Sequence, residues 1–128
     1  MRREDLNYIT GEVVDAGIKV HSMLGPGLLE TVYRACLAQE LRLRQHVVTT
    51  EVPLKVVYKG VDVGEGYRID LLVNSAVVVE VKAVERVIPV HEAQLLSHLR
   101  LGNYRVGLLM NFHIKHLKHG ITRLVNTF

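Results

Sequence analysis

Three charged residues interrupt stretches that otherwise read as buried strands: Asp70 within 67–73, and Glu80 and Lys82 within 77–82. A charge inside a sheet is costly unless it is paired or binds a metal, so these positions need a reason. Glu80 and Lys82 are two apart and share one face of a strand. Two facing carboxylates beside a lysine can hold a hard divalent cation through oxygen ligands, while the ammonium group orients or helps deprotonate a water. The competing reading is an ion pair of Lys82 with Glu80 or Asp70 at a strand end. Register decides whether the acids meet. A two-residue loop at Asn74-Ser75 would set Asp70 opposite Val79 and leave the acids on opposite faces, whereas a connection that includes Ala76 sets Asp70 opposite Glu80. The second arrangement is expected.

Other polar side chains could join them. Glu30 falls at the margin of a helix's apolar stripe, where it could enter a cleft or simply complement the exposed amides of the helix start, with Gly27 near the cap. Tyr33, one turn on, could aim its hydroxyl at the same cleft or serve as a core tyrosine. His91, Gln94 and His98 share a face of a later helix. The His113, His116 and His119 series has a spacing that could suit a transition metal, yet no acid or cysteine follows it. Cys36 reads as a small buried hydrophobe.

Positioning these residues takes a specific set of elements. Leu6, Ile9, Val13, Ala16, Val20 and Met23 form one helical stripe, which Gly25-Pro26-Gly27 ends. A second helix is expected over 28–44. Period-two alternation follows, with a turn at Lys59-Gly60 and then a strand carrying Tyr67, Ile69, Leu71 and Val73 on one face and Arg68, Asp70 and Leu72 on the other. The apolar run 77–81, interrupted only by Glu80, reads as the sheet's central strand. A helix over 91–101 and a buried strand over 106–110 complete a right-handed crossover to a parallel neighbour. The tail, 114–125, reads as a short helix and then a short strand.

Composition bounds the rest. The chain has 128 residues, of which 48% are hydrophobic and 23% charged, so a single domain over 1–128 is expected. One cysteine, no apolar leader and no membrane-length apolar run make a cytoplasmic protein without a membrane partner the expectation. The 16 basic and 13 acidic residues give a formal charge of only +3, but no Asp or Glu follows Glu92. The later stretch is either a solvated basic face or a surface for a polyanion. Aromatics at 5% with no Trp argue against base stacking as the main grip on single strands.

Gly27-Leu28-Leu29-Glu30-Thr31-Val32-Tyr33 fits the pattern that names the GxxExxY protein family. Asp70 followed by Glu80-Val81-Lys82 resembles the signature of the PD-(D/E)XK nuclease superfamily, to which that family is assigned. Segments 24–27, 58–60, 67–73, 93–96 and 107–112 are similar to family segments as well. The resemblance implies an α/β, restriction-endonuclease-like core: N-terminal helices, an antiparallel β-meander, a crossover helix and a further parallel strand. It implies Mg2+ or Mn2+ held by Asp70 and Glu80 with the Val81 carbonyl and help from Glu30, and Lys82 positioning the attacking water. Gln94 would stand beside the site, with Tyr33, Arg68, His91 and His98 as substrate contacts. The implied activity is hydrolysis of DNA or RNA, in repair, processing or defence. The alternative is a non-catalytic module that keeps the fold and binds nucleic acid or protein. A homodimer or an unidentified protein partner is compatible with either. The chain departs from the family pattern at His98, where an aromatic is expected, and at Ile69, where proline would precede the aspartate.

Overall fold

The computed structural model describes residues 1–127. Helices α1 (Arg3–Leu24) and α2 (Glu30–Leu43) precede strands β1 (Val48–Tyr58), β2 (Val61–Val73) and β3 (Val77–Lys82). Helix α3 (Pro89–Gly102) leads to β4 (Val106–Asn111), a 3-10 turn at Leu117–Gly120 and β5 (Ile121–Val125). The sheet order is β1-β2-β3-β4-β5; β3 and β4 are parallel and the other neighbours antiparallel. Meander, crossover helix and parallel strand thus stand as the sequence implies. Among the described residues no helix is long and apolar enough to cross a membrane.

The apolar run of β3 is explained by burial on both faces. Val77, Val79 and Val81 pack under α1 and α2 with Val13, Leu37 and Phe112. Val78 packs under α3 with Leu95 and Leu99. The β2–β3 connection has three residues, with Val73 opposite Val77. Asn74 and Ser75 adopt left-handed backbone at φ 53° and 56°, and the Ala76 N–H donates to the Val73 carbonyl at 3.0 Å. Continuing one step past the Leu71–Val79 pair sets Asp70 opposite Glu80, the expected register.

Three local expectations change. Helix α2 starts at Glu30 rather than Leu28, because Leu29 is its cap in extended backbone. The alternation of β2 breaks at Asp70: Ile69 packs with Leu72 under α3, whereas Leu71 packs under α1 and α2. The physical reason lies on the neighbouring strand, where Glu51 takes a left-handed φ of 52° between the pairs Thr50–Leu71 and Val52–Ile69. Finally, Val57, Tyr58, Val61 and Val63, near the tip of the β1–β2 hairpin, are exposed, so alternation in that distal part reflects the pleat rather than a covered face.

Helix α3 lies close against the sheet over Gly107. A Cβ there would stand 2.9 Å from Leu95 Cδ1 and 3.1 Å from Leu99 Cδ2, and both leucines are fully buried. Gly107→Val is therefore expected to lower unfolding free energy by about 1–3 kcal/mol through overpacking. Urea denaturation checks this, and an unchanged midpoint would contradict the packing assigned to α3.

Candidate active site

Where the β2–β3 ladder ends, side chains take over from backbone. Asp70 Oδ2 accepts a hydrogen bond from the Val81 N–H at 2.8 Å, so a carboxylate stands in for a strand carbonyl. Asp70 is 9% exposed and Glu80 2%, in the register that brings the two acids together. Burial, followed by the Glu80 charge, pushes the Asp70 carboxyl up to about 6, against the opposing pull of the Val81 N–H and Arg34. Acids sharing a dry site resist double ionisation unless a cation joins them.

Glu80 is held from the α3 side. Its Oε2 accepts from the Tyr67 hydroxyl at 3.0 Å, and its Oε1 lies 3.2 Å from His98 Nδ1. The Tyr67 and His98 rings stack, with centroids 3.6 Å apart and planes 14° apart. Burial and the Glu80 charge raise the Tyr67 phenol's pKa, so it stays a donor. A carboxylate oxygen bonded once keeps a lone pair for another partner; Glu80 is oriented without being used up.

From the α2 side comes Arg34. Its guanidinium nitrogens lie 3.8 Å from Asp70 Oδ1, 3.9 Å from Glu30 Oε2 and 4.0 Å from Glu51 Oε1. These are ion-pair distances beyond hydrogen-bond range, and among the described residues the buried Arg34 Nε has no hydrogen-bond partner. One cation is thus shared loosely among three carboxylates. The left-handed Glu51 beside Asp70 carries a backbone strain on the order of 1–2 kcal/mol.

Glu30, the first residue of α2, reaches across to β3's end and accepts from the Ala83 N–H at 3.3 Å. It also sits in the first helical turn, beside the exposed amides of the helix start. Lys82 ends β3 half-buried and, among the described residues, makes no ion pair. The expected alternative, a Lys82 pair with Glu80 or Asp70, is replaced by Arg34 with Asp70.

Tyr33 turns away from the acids. It is fully buried and stacks on Phe112 at 4.6 Å; its hydroxyl donates to the Gly25 carbonyl and accepts from the Leu28 N–H. The spacing Gly27, Glu30, Tyr33 therefore has a structural reason: the tyrosine closes the α1–α2 corner while the glutamate reaches the strand end. His91 Nδ1 accepts the Ile88 N–H at the start of α3. His98 lies behind Glu80. Gln94, one turn before His98, is exposed, and exposed Arg68 bonds Glu65. The structure brings together Glu30, Asp70, Glu80 and Val81, with Lys82 next along β3, and not Tyr33, Arg68, His91 or Gln94. Arg34, Glu51 and Tyr67 join them without having been singled out.

Among the described residues no three of His, Cys, Asp or Glu converge tightly enough to cage a metal alone. A two-carboxylate site with oxygen donors suits Mg2+ nonetheless, since that ion keeps several waters and takes few protein ligands. Two buried carboxylates side by side, one on each of two paired strands, offer oxygen donors whose charge a divalent cation would balance, so the donor set fits the ion.

A protein-family model described as the PD-(D/E)XK nuclease superfamily matches residues 7–124. The chain belongs to the PD-(D/E)XK nuclease superfamily. No curated protein and no solved structure matches it. Members of this superfamily generally use divalent metals on nucleic acid, and the match spans every strand and helix that contributes to the acidic cluster.

The raised Asp70 pKa has a stability consequence. Its folded-state value of about 6 lies above the ordinary 3.8, so its contribution is complete below pH 3.8 and is lost as pH rises through about 6. In EDTA at pH 7, Asp70→Asn is expected to be more stable than wild type by about 1–3 kcal/mol, with the gap closing toward pH 4. Denaturant titrations at the two pH values measure this; a variant less stable at pH 7 would contradict the strain assigned to the site.

Proposed function

We propose that the chain is a Mg2+- or Mn2+-dependent phosphodiesterase acting on DNA or RNA, a nuclease of the GxxExxY type. The observation that carries this reading is the buried Asp70–Glu80 pair with Lys82 next on the same strand and free of any ion pair among the described residues. Asp70 and Glu80, with the Val81 carbonyl, are the residues that would hold the ion, and Glu30 stands close enough to assist. When bound, the ion supplies Lewis acidity to a phosphate and to a water.

The protein's own groups do the rest. Tyr67 and His98 fix the Glu80 carboxylate so that no reorientation is needed as charge develops. The Lys82 ammonium orients a water toward phosphorus and compensates negative charge there. Arg34 neutralises Asp70, Glu30 and Glu51 while the site is empty of substrate and, once another cation shares those carboxylates, becomes available to a phosphate oxygen. The acid-free stretch after Glu92 holds the backbone.

The test is metal-dependent cleavage of single- and double-stranded DNA and RNA. Asp70→Ala and Glu80→Ala are each expected to slow cleavage at least about a hundredfold, and Lys82→Ala by a similar factor. No cleavage by wild type with any metal, or unchanged cleavage by both carboxylate variants, would overturn the proposal.

A further inference from the structure

The acid-free end of the chain folds into a defined cleft. Of about 340 Å3, it lies between the end of α1 and the 3-10 turn, and Ser22, Gly25, Pro26, Lys115, His116 and Lys118 contribute to its walls. No acid lines it. Lys115 and Lys118 are exposed and, among the described residues, form no ion pair. The walls are tied rather than merely adjacent. His21 Nε2, on a side chain that is itself buried, lies 2.7 Å from the Ile114 carbonyl, and His113 Nδ1 lies 3.0 Å from the Pro26 carbonyl. The Gly25 side is fixed by the Tyr33 hydroxyl.

The chain that forms one wall of the cleft also runs back to the strand that carries Glu80 and Lys82. Asn111 pairs in register with Lys82, and the Phe112 N–H donates to the Lys82 carbonyl at 2.9 Å. Lys115 follows four residues after Asn111, so its Cα lies within about 14 Å of that strand partner of Lys82. A nucleic-acid strand rising about 3.4 Å per nucleotide covers that distance in a few phosphates. The cleft on the other side of α2, lined by Arg34 and Arg42, includes Glu51; this one has cations alone.

We propose that this cleft is a subsite for the phosphodiester backbone of the substrate, gripping phosphates that flank the scissile one through Lys115 and Lys118. It rests on the nuclease reading for the identity of the polyanion. Lysines act here as point charges toward phosphate and read no base sequence. Grip and chemistry are thereby divided: cations beyond Glu92 hold the strand, and the carboxylates of β2 and β3 act on it.

The experiment measures fluorescence anisotropy of a labelled DNA duplex and its RNA counterpart in EDTA, at a series of salt concentrations, with the full chain. Lys115→Glu and Lys118→Glu are each expected to weaken binding at least about fivefold, and to reduce the salt-dependence slope by about one phosphate contact. Lys59→Glu, the same charge change at the hairpin tip, should alter affinity less than about twofold. Equal weakening by all three variants, no weakening by either cleft variant, or no binding by wild type would overturn the subsite. Mn2+ calorimetry on wild type and Glu80→Ala runs in parallel. Mn2+ binding lost only in Glu80→Ala, beside cleft variants that bind like wild type, would sink the subsite and keep the nuclease reading. Absent Mn2+ binding beside cleft variants that do weaken binding would sink the nuclease reading instead.

Discussion

Keeping two carboxylates ionisable in the middle of a covered sheet is the constraint on which the rest of this structure depends. Desolvating one such charge costs several kcal/mol, and a second beside it adds repulsion. The fold answers from three directions. The Val81 N–H reaches Asp70, Tyr67 and His98 reach Glu80, and Arg34 stands over Asp70 from α2. The compensation remains incomplete, as the Asp70 pKa near 6 shows. An incompletely compensated pair of acids is a poor structural element and a good cation site.

The supporting scaffold can be understood from that centre outward. Tyr33 and Phe112 stack beneath the α1–α2 corner, which fixes where α2 begins and hence where Glu30 points. Gly107 lets α3 settle on the sheet, which fixes how far His98 reaches toward Glu80. The local break in β2 and the left-handed Glu51 lie beside Asp70, so irregular backbone is concentrated where the acids are. Two ordinary cores, one on each face of β3, hold these parts against one another.

Much of this was legible in the residues. The apolar run 77–81 marked the central strand, because only a strand covered on both faces tolerates it, and the Asn74-Ser75-Ala76 connection set the register that joins Asp70 to Glu80. Glu30 at the margin of the second helix's apolar stripe, with Tyr33 one turn on, was readable from helical spacing. Arg34 was not legible, since a cation on a helix ordinarily reads as solvated and its role appears only when α2 lies over β2. Tyr67 looked like one more inward residue of an alternating strand, and its stack on His98 joins residues from separate elements. Glu51 left no signal at all, because a left-handed backbone is foreseeable at glycine or asparagine but not at glutamate. Such misses fall where local pattern and site geometry conflict, which is where a functional constraint outweighs propensity.

Membership in the PD-(D/E)XK superfamily accounts for the fold, and under the proposed function a hard cation would complete what Arg34 only approximates. The most direct measurement is a crystal structure of the chain soaked in Mn2+, with anomalous density locating the ion. The account predicts one ion in contact with Asp70, Glu80 and the Val81 carbonyl, with Arg34 displaced from Asp70. Undisturbed Arg34–Asp70 geometry with no ion between the carboxylates would contradict it.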